Sequence, residues 1–152
     1  MQLSAAGLRL LKECEGFRAM AYRDVAGLET IGYGHRLGVR ESFPNGVTLE
    51  EAETILAGDI ATAEQAVLRL VRAPLTQGQF DALVDFVFNL GAGRLAASTL
   101  LKELNAVRFD AAAEQLLQWD HCGAQENAGL KARREAEFRL FTCEAAEPVA
   151  AS

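Results

Sequence analysis

The sequence predicts an α+β protein in which a small β-hairpin lobe and a larger helical lobe enclose a cleft. Three features of the 152-residue chain support this fold class. A short N-terminal segment follows the period of a helix and stops at Gly16. Residues 17–47 lose that period and alternate instead, as strands do. From Thr48 onward the helical period returns and continues.

The first helix is predicted to begin after the N-cap Ser4 and to end with Glu15. With about 100° between successive residues, Glu15 falls on the same face as Leu8 and Leu11. Glu13 falls on the opposite face, so we expect it to be a solvated charge. Glu15 should point inward at the negative end of the helix dipole. Both partial burial and the dipole favour its protonated form.

The segment 17–47 is predicted to be a hairpin that turns at residues 25–27. Its two arms bring Asp24 and Thr30 close together, and two glycines that follow permit close backbone approach. The carboxyl groups of Glu15 and Asp24 and the hydroxyl of Thr30 can therefore converge on one cleft. Glycoside hydrolysis requires such an arrangement. Taken alone, Asp24 could merely cap the turn.

Two capping boxes mark later helices, one from Thr48 to Glu51 and one from Thr76 to Gln79. The helix after Thr76 has few polar positions and is predicted to be the core helix of the larger lobe. Three shorter helices are expected at about residues 98–106, 110–119 and 130–142.

The composition limits the classes of function. The chain has 15 basic and 21 acidic residues and a net charge of −6, which argues against broad nucleic-acid binding. No apolar run approaches the ~20 residues of a membrane helix. The N-terminus lacks the basic and apolar regions of a secretory signal. We therefore expect the protein to accumulate in the cytoplasm of the cell that makes it.

The cysteines, Cys14, Cys122 and Cys143, follow no CxxC spacing. This spacing favours reduced thiols over a disulfide framework or a zinc knuckle. The neighbouring carboxylate of Glu15 should raise the pKa of the Cys14 thiol and make it a poor nucleophile.

The spacing Glu15-x8-Asp24-x5-Thr30, followed by Ile-Gly-Tyr-Gly-His, closely resembles the phage-type lysozymes. These are the bacteriophage endolysin muramidases of glycoside hydrolase family 24. The resemblance continues in order and spacing through Phe88-Asn-Leu-Gly91, Ser98-Thr-Leu-Leu101, Trp119 and Gly129-Leu-Lys-Ala-Arg-Arg-Glu135. We therefore expect one lysozyme-like domain over about residues 1–145, with a β lobe at about 16–47, a joining helix, a helical lobe at about 59–143 and a flexible tail at 146–152.

The resemblance implies hydrolysis of the β-1,4 bond between N-acetylmuramic acid and N-acetylglucosamine in peptidoglycan, and so lysis of the host cell wall. It also implies that Glu15 protonates the leaving oxygen while Asp24 and Thr30 engage the attacking water. Inversion is favoured because no adjacent base is evident that would activate Thr30 as a nucleophile. No cofactor and no metal are expected. Peptidoglycan is the expected partner of a monomer that a separate holin releases from the host cytoplasm to the periplasm and cell wall.

Candidates for substrate binding are Tyr33, Asn89, Arg133 and Arg134. Arg133 and Arg134 are most simply a solvated helix face, but one of them could reach the cleft and pair with Glu15 or with a muramyl carboxylate. The sequence leaves this choice open. Asn89 could be only a residue at a helix end.

Two alternative functions use other residues or none. A zinc amidase would need ligands such as His35, His121 and Cys122, but the adjacent pair has poor ligand spacing. A noncatalytic wall-binding module is the other alternative, since fold alone does not establish turnover. For His35 we instead predict a structural ion pair with Asp59. Trp119 is predicted to lie in the core.

Overall fold

A computed structural model describes residues 1–143 and confirms the predicted α+β architecture. The predicted tail at 146–152 lies outside the described residues. No helix within residues 1–143 combines the length and apolarity needed to cross a membrane. The helices are α1 (Ala5–Glu15), α2 (Leu49–Leu70), α3 (Gln77–Leu90), α4 (Ala92–Ala96), α5 (Thr99–Asn105), α6 (Phe109–Leu116) and α7 (Ala128–Thr142). The strands are β1 (Arg18–Arg23), β2 (Glu29–Gly32), β3 (His35–Arg36), β4 (His121–Cys122) and β5 (Gln125–Glu126).

Helix α1 has the predicted caps. The side-chain oxygen of Ser4 accepts a hydrogen bond from the backbone N–H of Gly7 at 3.2 Å. Gly16 follows the helix with a φ of 67°, and its N–H donates to the carbonyl of Lys12. The backbone N–H and the hydroxyl of Ser4 also donate to the buried carboxylate of Asp81 on α3. The N-cap therefore fixes α1 against the helical lobe.

The β lobe is a three-stranded antiparallel sheet in the order β1-β2-β3. The predicted hairpin is correct for β1 and β2, which are joined by a turn at residues 25–27. Strand β3 was not predicted because its two residues are too few to show an alternating pattern. Its Arg36 pairs with Thr30, which in turn pairs with Tyr22. These three residues therefore lie in one row across the sheet.

Helix α2 joins the two lobes. It begins after Thr48 with the predicted capping box. Near its start, Ala52 packs with Ile31 and Val47 in the small core of the β lobe. Farther along, Val67 belongs to the main core of the helical lobe. One rigid helix of 22 residues thus contributes to both cores and sets their separation.

Helix α3 is the core helix of the larger lobe, as predicted, and begins after Thr76 with a capping box. Trp119 packs edge to face on Phe86 with ring centroids 5.5 Å apart, which confirms its predicted place in the core. Helices α5, α6 and α7 correspond to the three shorter predicted helices and differ by at most three residues at either end. Helix α4 and the β4–β5 hairpin were not predicted, because elements of five and two residues carry no readable period.

The predicted ion pair between His35 and Asp59 is confirmed and includes a third residue. Nδ1 of His35 lies 2.7 Å from Asp59 on α2, and Nε2 lies 3.0 Å from Glu41 in the loop after β3. Burial disfavours the imidazolium, but the hydrogen bonds to Asp59 and Glu41 outweigh it and raise the pKa of His35. The hydrogen bond from the backbone N–H of Gly38, followed in size by the one with His35, lowers the pKa of Glu41. The group ties the β lobe to the joining helix.

We expect the free energy of unfolding to depend on pH through His35. A raised folded pKa means that the stabilisation is complete below the unfolded value of about 6.5 and is lost as pH rises through the folded value. The lowered pKa of Glu41 acts oppositely, so its contribution is lost as pH falls through its folded value. Urea unfolding across both ranges measures the profile.

In Asp59→Asn the free energy of unfolding should decline less steeply above pH ~6.5 than in wild type. The substitution removes the hydrogen bond to Asp59, which is the largest contribution that raises the pKa of His35. His121→Gln is the matched control, because the other histidine of the chain lies on β4 in the helical half. Equal slopes for wild type and Asp59→Asn would refute the pair's contribution.

Candidate active site

Glu15 is the last residue of α1, and its side chain is 16% exposed at the edge of a cleft between the lobes. Glu13 is exposed, so the choice between the two glutamates made from the helix period is confirmed. Gly34, with a φ of 67°, lies directly against the Glu15 carboxylate. A Cβ at position 34 would overlap Oε2 of Glu15. The glycine therefore provides the space that the carboxyl occupies.

Arg133 of α7 holds the other oxygen of this carboxyl. Its Nη1 donates to Oε1 of Glu15 at 2.7 Å, and its Nε and Nη2 donate to the two oxygens of Asp85 at 2.9 and 2.8 Å. Burial alone would lower the pKa of Arg133, but the hydrogen bonds with Asp85 and Glu15 raise it above its ordinary value. Of the two possibilities left open for Arg133, the solvated helix face is wrong, because this side of α7 packs on α3, and the pairing with Glu15 is confirmed.

Arg134 is also buried and does not contact Glu15 in the hydrogen bonds of the described residues. Its Nη2 donates to Asn89 at 2.7 Å and to Glu137 at 2.8 Å, and its guanidinium lies over the ring of Phe86. Burial lowers the pKa of Arg134 and raises that of Glu137 well above its usual range. The solvated-face prediction is therefore wrong here too. Arg134 instead orients Asn89, which lines the cleft.

Asp85 and Glu137 were not predicted as part of the site. A signal for Asp85 was present, because it stands in the otherwise apolar core helix α3, and a buried carboxylate requires a cationic partner. Burial opposes ionisation of Asp85, but the hydrogen bonds from Arg133 prevail and lower its pKa. The partner itself lies 48 residues away along the chain.

Asp24 lies on the other side of the cleft, at the end of β1. Its Oδ1 accepts hydrogen bonds from the backbone N–H groups of Ala26 and Leu28, both at 2.9 Å. Its Oδ2 faces Nε of Arg36 at 3.6 Å. Asp24 therefore caps the turn with one oxygen, as an ordinary turn aspartate does, and presents the other oxygen to the cleft.

Thr30 of β2 is buried beside Asp24 and lines the same cavity. Its hydroxyl donates to the carbonyl of Leu28 at 2.9 Å. Because that bond uses the hydroxyl proton, the oxygen faces the cleft as a hydrogen-bond acceptor. A water molecule could donate to it.

The cleft consists of adjoining cavities. The central cavity has a volume of about 510 Å³ and is lined by the catalytic candidates Glu15, Asp24 and Thr30. A neighbouring cavity of about 300 Å³ shares Gly34, Arg36 and Phe88 with it. A third cavity of about 440 Å³, lined by Arg133, shares Cys14 and Val25 with the central one. The cleft thus extends beyond the candidate trio into two adjoining cavities.

Two other predicted residues have roles outside this trio. Tyr33 does not line any of the three cavities; its hydroxyl lies 3.4 Å from Glu53, and its ring packs on Phe17.

Cys14 lines the cleft with a free thiol, and Cys122 is also a free thiol. Burial raises the pKa of Cys14 despite the nearby charge of Arg133, which confirms the predicted direction. Within residues 1–143 no group of three or more His, Cys, Asp and Glu side chains is placed to hold a metal ion.

Comparison with known proteins identifies relatives across most of the chain. The sequence model of the phage lysozyme family matches residues 12–137. The chain is 42% identical over 143 residues to an endolysin of Bacillus phage B103 and 40% identical over 144 residues to the endolysin of Salmonella phage P22. Both alignments cover 93% of this chain. They cover 54% of the B103 protein, so the chain spans about half of that relative, and 98% of the P22 protein.

Solved structures agree with these sequence relatives. The muramidase domain of SpmX from Asticaccaulis excentricus has a TM-score of 0.83 and 38% identity, and covers 94% of this chain and 99% of that one. An endolysin from Escherichia coli O157:H7 phage FAHEc1 has a TM-score of 0.82 and 35% identity, and covers 93% and 94% respectively. Because the family model matches most of the chain and these relatives share its fold at substantial identity, the chain belongs to the phage lysozyme family.

Proposed function

We propose that this protein is an endolysin muramidase of glycoside hydrolase family 24 that hydrolyses the β-1,4 bond between N-acetylmuramic acid and N-acetylglucosamine in peptidoglycan. The observation that carries the proposal is the placement of Glu15 at the end of α1, fixed by Arg133, in the same cavity as Asp24 and Thr30. The cleft continues from this cavity into two adjoining ones, which suits the binding of a glycan strand.

Glu15 is the proposed general acid. Its Oε1 accepts the hydrogen bond from Arg133, which leaves Oε2, beside Gly34, to carry the proton for the leaving oxygen. Arg133 makes two hydrogen bonds to Asp85 and one to Glu15. Its charge is therefore already balanced by Asp85, so it can orient the Glu15 carboxyl without requiring that carboxyl to be ionised.

Asp24 and Thr30 are proposed to hold the attacking water. The two backbone N–H groups that bind Oδ1 of Asp24 fix the carboxylate, and Oδ2, which lies 3.6 Å from Nε of Arg36, can take a proton from the water. The hydroxyl oxygen of Thr30 can accept the water's other hydrogen. A water attacking from the side opposite Glu15 displaces the leaving group directly, so we propose hydrolysis with inversion.

The biological role follows from the endolysin relatives. We propose one lysozyme-like domain over about residues 1–145 that acts as a monomer on peptidoglycan. It would reach the wall from the host cytoplasm through a membrane lesion made by a holin and would lyse the host cell. Asn89 is proposed as a substrate contact, Arg133 as the residue that orients the acid, and Arg134 as the support of Asn89.

Glu15→Gln should lower the rate of release of new reducing ends from purified peptidoglycan by roughly 10²–10⁴-fold, because the amide cannot donate the required proton. Glu13→Gln, two residues earlier and exposed on the same helix, should retain wild-type activity. Mass analysis of the soluble fragments should show hydrated muramic acid termini. Anhydro termini would indicate a transglycosylase, and free stem peptides an amidase. Appreciable activity in Glu15→Gln would refute the assignment of the acid.

Inversion predicts that the first reducing ends carry the α configuration, since the substrate bond is β. Proton NMR of the anomeric signals, recorded before mutarotation equilibrates them, distinguishes the two outcomes. Accumulation of the β anomer first would instead indicate retention by a double displacement.

A further inference from the structure

The active-site cleft contains more cationic side chains than the proposed chemistry uses. Arg18, Arg23 and Arg36, here called the cleft arginines, line the central cavity together with Glu15 and Asp24. All three arginines are exposed, and none of them holds the acid. Glu15 is already paired with a fourth arginine on α7. The cavity therefore has an excess of positive charge, although the chain as a whole has a net charge of −6.

Arg18 and Arg23 form no ion pair with a carboxylate among residues 1–143, and Arg36 forms a single long one. The guanidinium of Arg18 lies over the ring of Tyr22, 4.7 Å from its centroid. Arg23 donates to the backbone carbonyl of Gly27 at 3.0 Å. Arg36 approaches Asp24 only to 3.6 Å. Each guanidinium keeps several unused N–H donors, whereas in the paired Arg133 three donors bind two carboxylates at 2.7–2.9 Å.

These contacts place the guanidinium groups before any ligand arrives. Arg18 is held by an aromatic ring of the same strand, and Arg23 is held by the turn that also positions Asp24. Arg36 lies beside Thr30 in the sheet and also lines the neighbouring cavity. A side chain that is already ordered loses less conformational entropy when it binds. The planar guanidinium fork binds carboxylates with two parallel hydrogen bonds, which gives geometric as well as electrostatic selectivity.

We propose that the cleft arginines bind the carboxylates that peptidoglycan displays beside its glycan backbone, and so select an anionic glycan over a neutral one. This inference rests on the proposed muramidase function. The N-acetylated sugar rings are themselves uncharged, and the negative charge resides on carboxylates of the stem peptides or on the lactyl groups of muramic acid where a peptide is absent. A neutral polymer of N-acetylglucosamine offers the same β-1,4 bond without those carboxylates.

The test compares wild type with a variant in which all three cleft arginines are replaced by glutamine. The matched control replaces Arg9, Arg69 and Arg139, which are exposed on helices outside the cleft and remove the same three charges. The substrates are soluble peptide-bearing glycan fragments, the same fragments stripped of peptide by an amidase, and neutral N-acetylglucosamine oligomers. Because all six arginines are exposed, both variants should fold, which circular dichroism checks.

On peptide-bearing fragments, the cleft variant should lose at least about tenfold in kcat/KM, mainly through a higher KM, because charge-assisted contacts to a group remote from the reacting bond are lost. The control should change by less than about twofold. The difference between wild type and the cleft variant should shrink as salt is added. Wild type should cleave the neutral oligomers poorly, and a variant with only Arg18→Gln and Arg23→Gln, which keeps the ion pair between Arg36 and Asp24, should cleave them no worse.

The stripped fragments identify the source of the carboxylate. Because the amidase exposes the lactyl carboxylate as it removes the peptide, a loss confined to peptide-bearing fragments means that the arginines bind the stem peptide alone, and a loss on both kinds of fragment means that they bind the lactyl carboxylate as well; either supports the proposal. Equal losses in the cleft variant and the control would overturn it, since overall charge would then suffice. An equal loss on neutral oligomers in the variant that keeps Arg36 would also overturn it, because Arg18 and Arg23 would then act without any carboxylate of the substrate.

A binding measurement separates this inference from the proposed function. Calorimetric titration of peptide-bearing fragments into Glu15→Gln needs no turnover, and adding the three cleft substitutions should weaken Kd by at least about tenfold. An unchanged Kd would contradict the inference even if hydrolysis is demonstrated. If the wild type produces no reducing ends, the muramidase function is contradicted. The calorimetric result would still show whether the cleft arginines bind the peptide-bearing fragments.

Discussion

The hydrogen bonds of Arg133 are the contacts on which the site depends. The side chain lies on α7, binds Asp85 of α3 through two N–H groups and reaches Glu15 at the end of α1 with a third. It therefore connects three helices that are far apart in sequence and fixes the direction of the one carboxyl that must face the cleft. The caps at Ser4 and Gly16 determine where α1 begins and ends, and so place Glu15 at the end of the helix. Arg133 then fixes the direction of the Glu15 carboxyl.

Because Arg133 and Asp85 are buried, each of these charges requires its partner. Removing one partner from a buried ion pair costs roughly 3–5 kcal/mol, because the remaining charge is left without compensation. Here Arg133 and Arg134 face the carboxyls of Glu15, Asp85 and Glu137, and burial raises the pKa of Glu137 well above its usual range. When Glu15 is in the protonated form proposed for the general acid, Asp85 still neutralises Arg133.

Local features of the site could be predicted from the sequence, and long-range ones could not. The inward direction of Glu15, the turn at Asp24 and the caps of α1 depend on neighbouring residues and helical period alone. The identity of the arginine that meets Glu15 from 118 positions away along the chain depends on how α7 docks on α3. The sequence left open whether Arg133 or Arg134 lies on a solvated face or reaches the cleft, and both are buried because they pair with Asp85 and Asn89 of α3.

The central claim is that the guanidinium fork of Arg133 holds Glu15 in its catalytic orientation. The most direct test is kcat for peptidoglycan hydrolysis by Arg133→Lys, with urea unfolding to verify the folded state. A lysine keeps the charge but cannot make all three hydrogen bonds, so kcat should fall by roughly 10–100-fold. Arg139→Lys, on the exposed face of the same helix, should keep wild-type kcat. A folded Arg133→Lys protein with wild-type kcat would contradict the account.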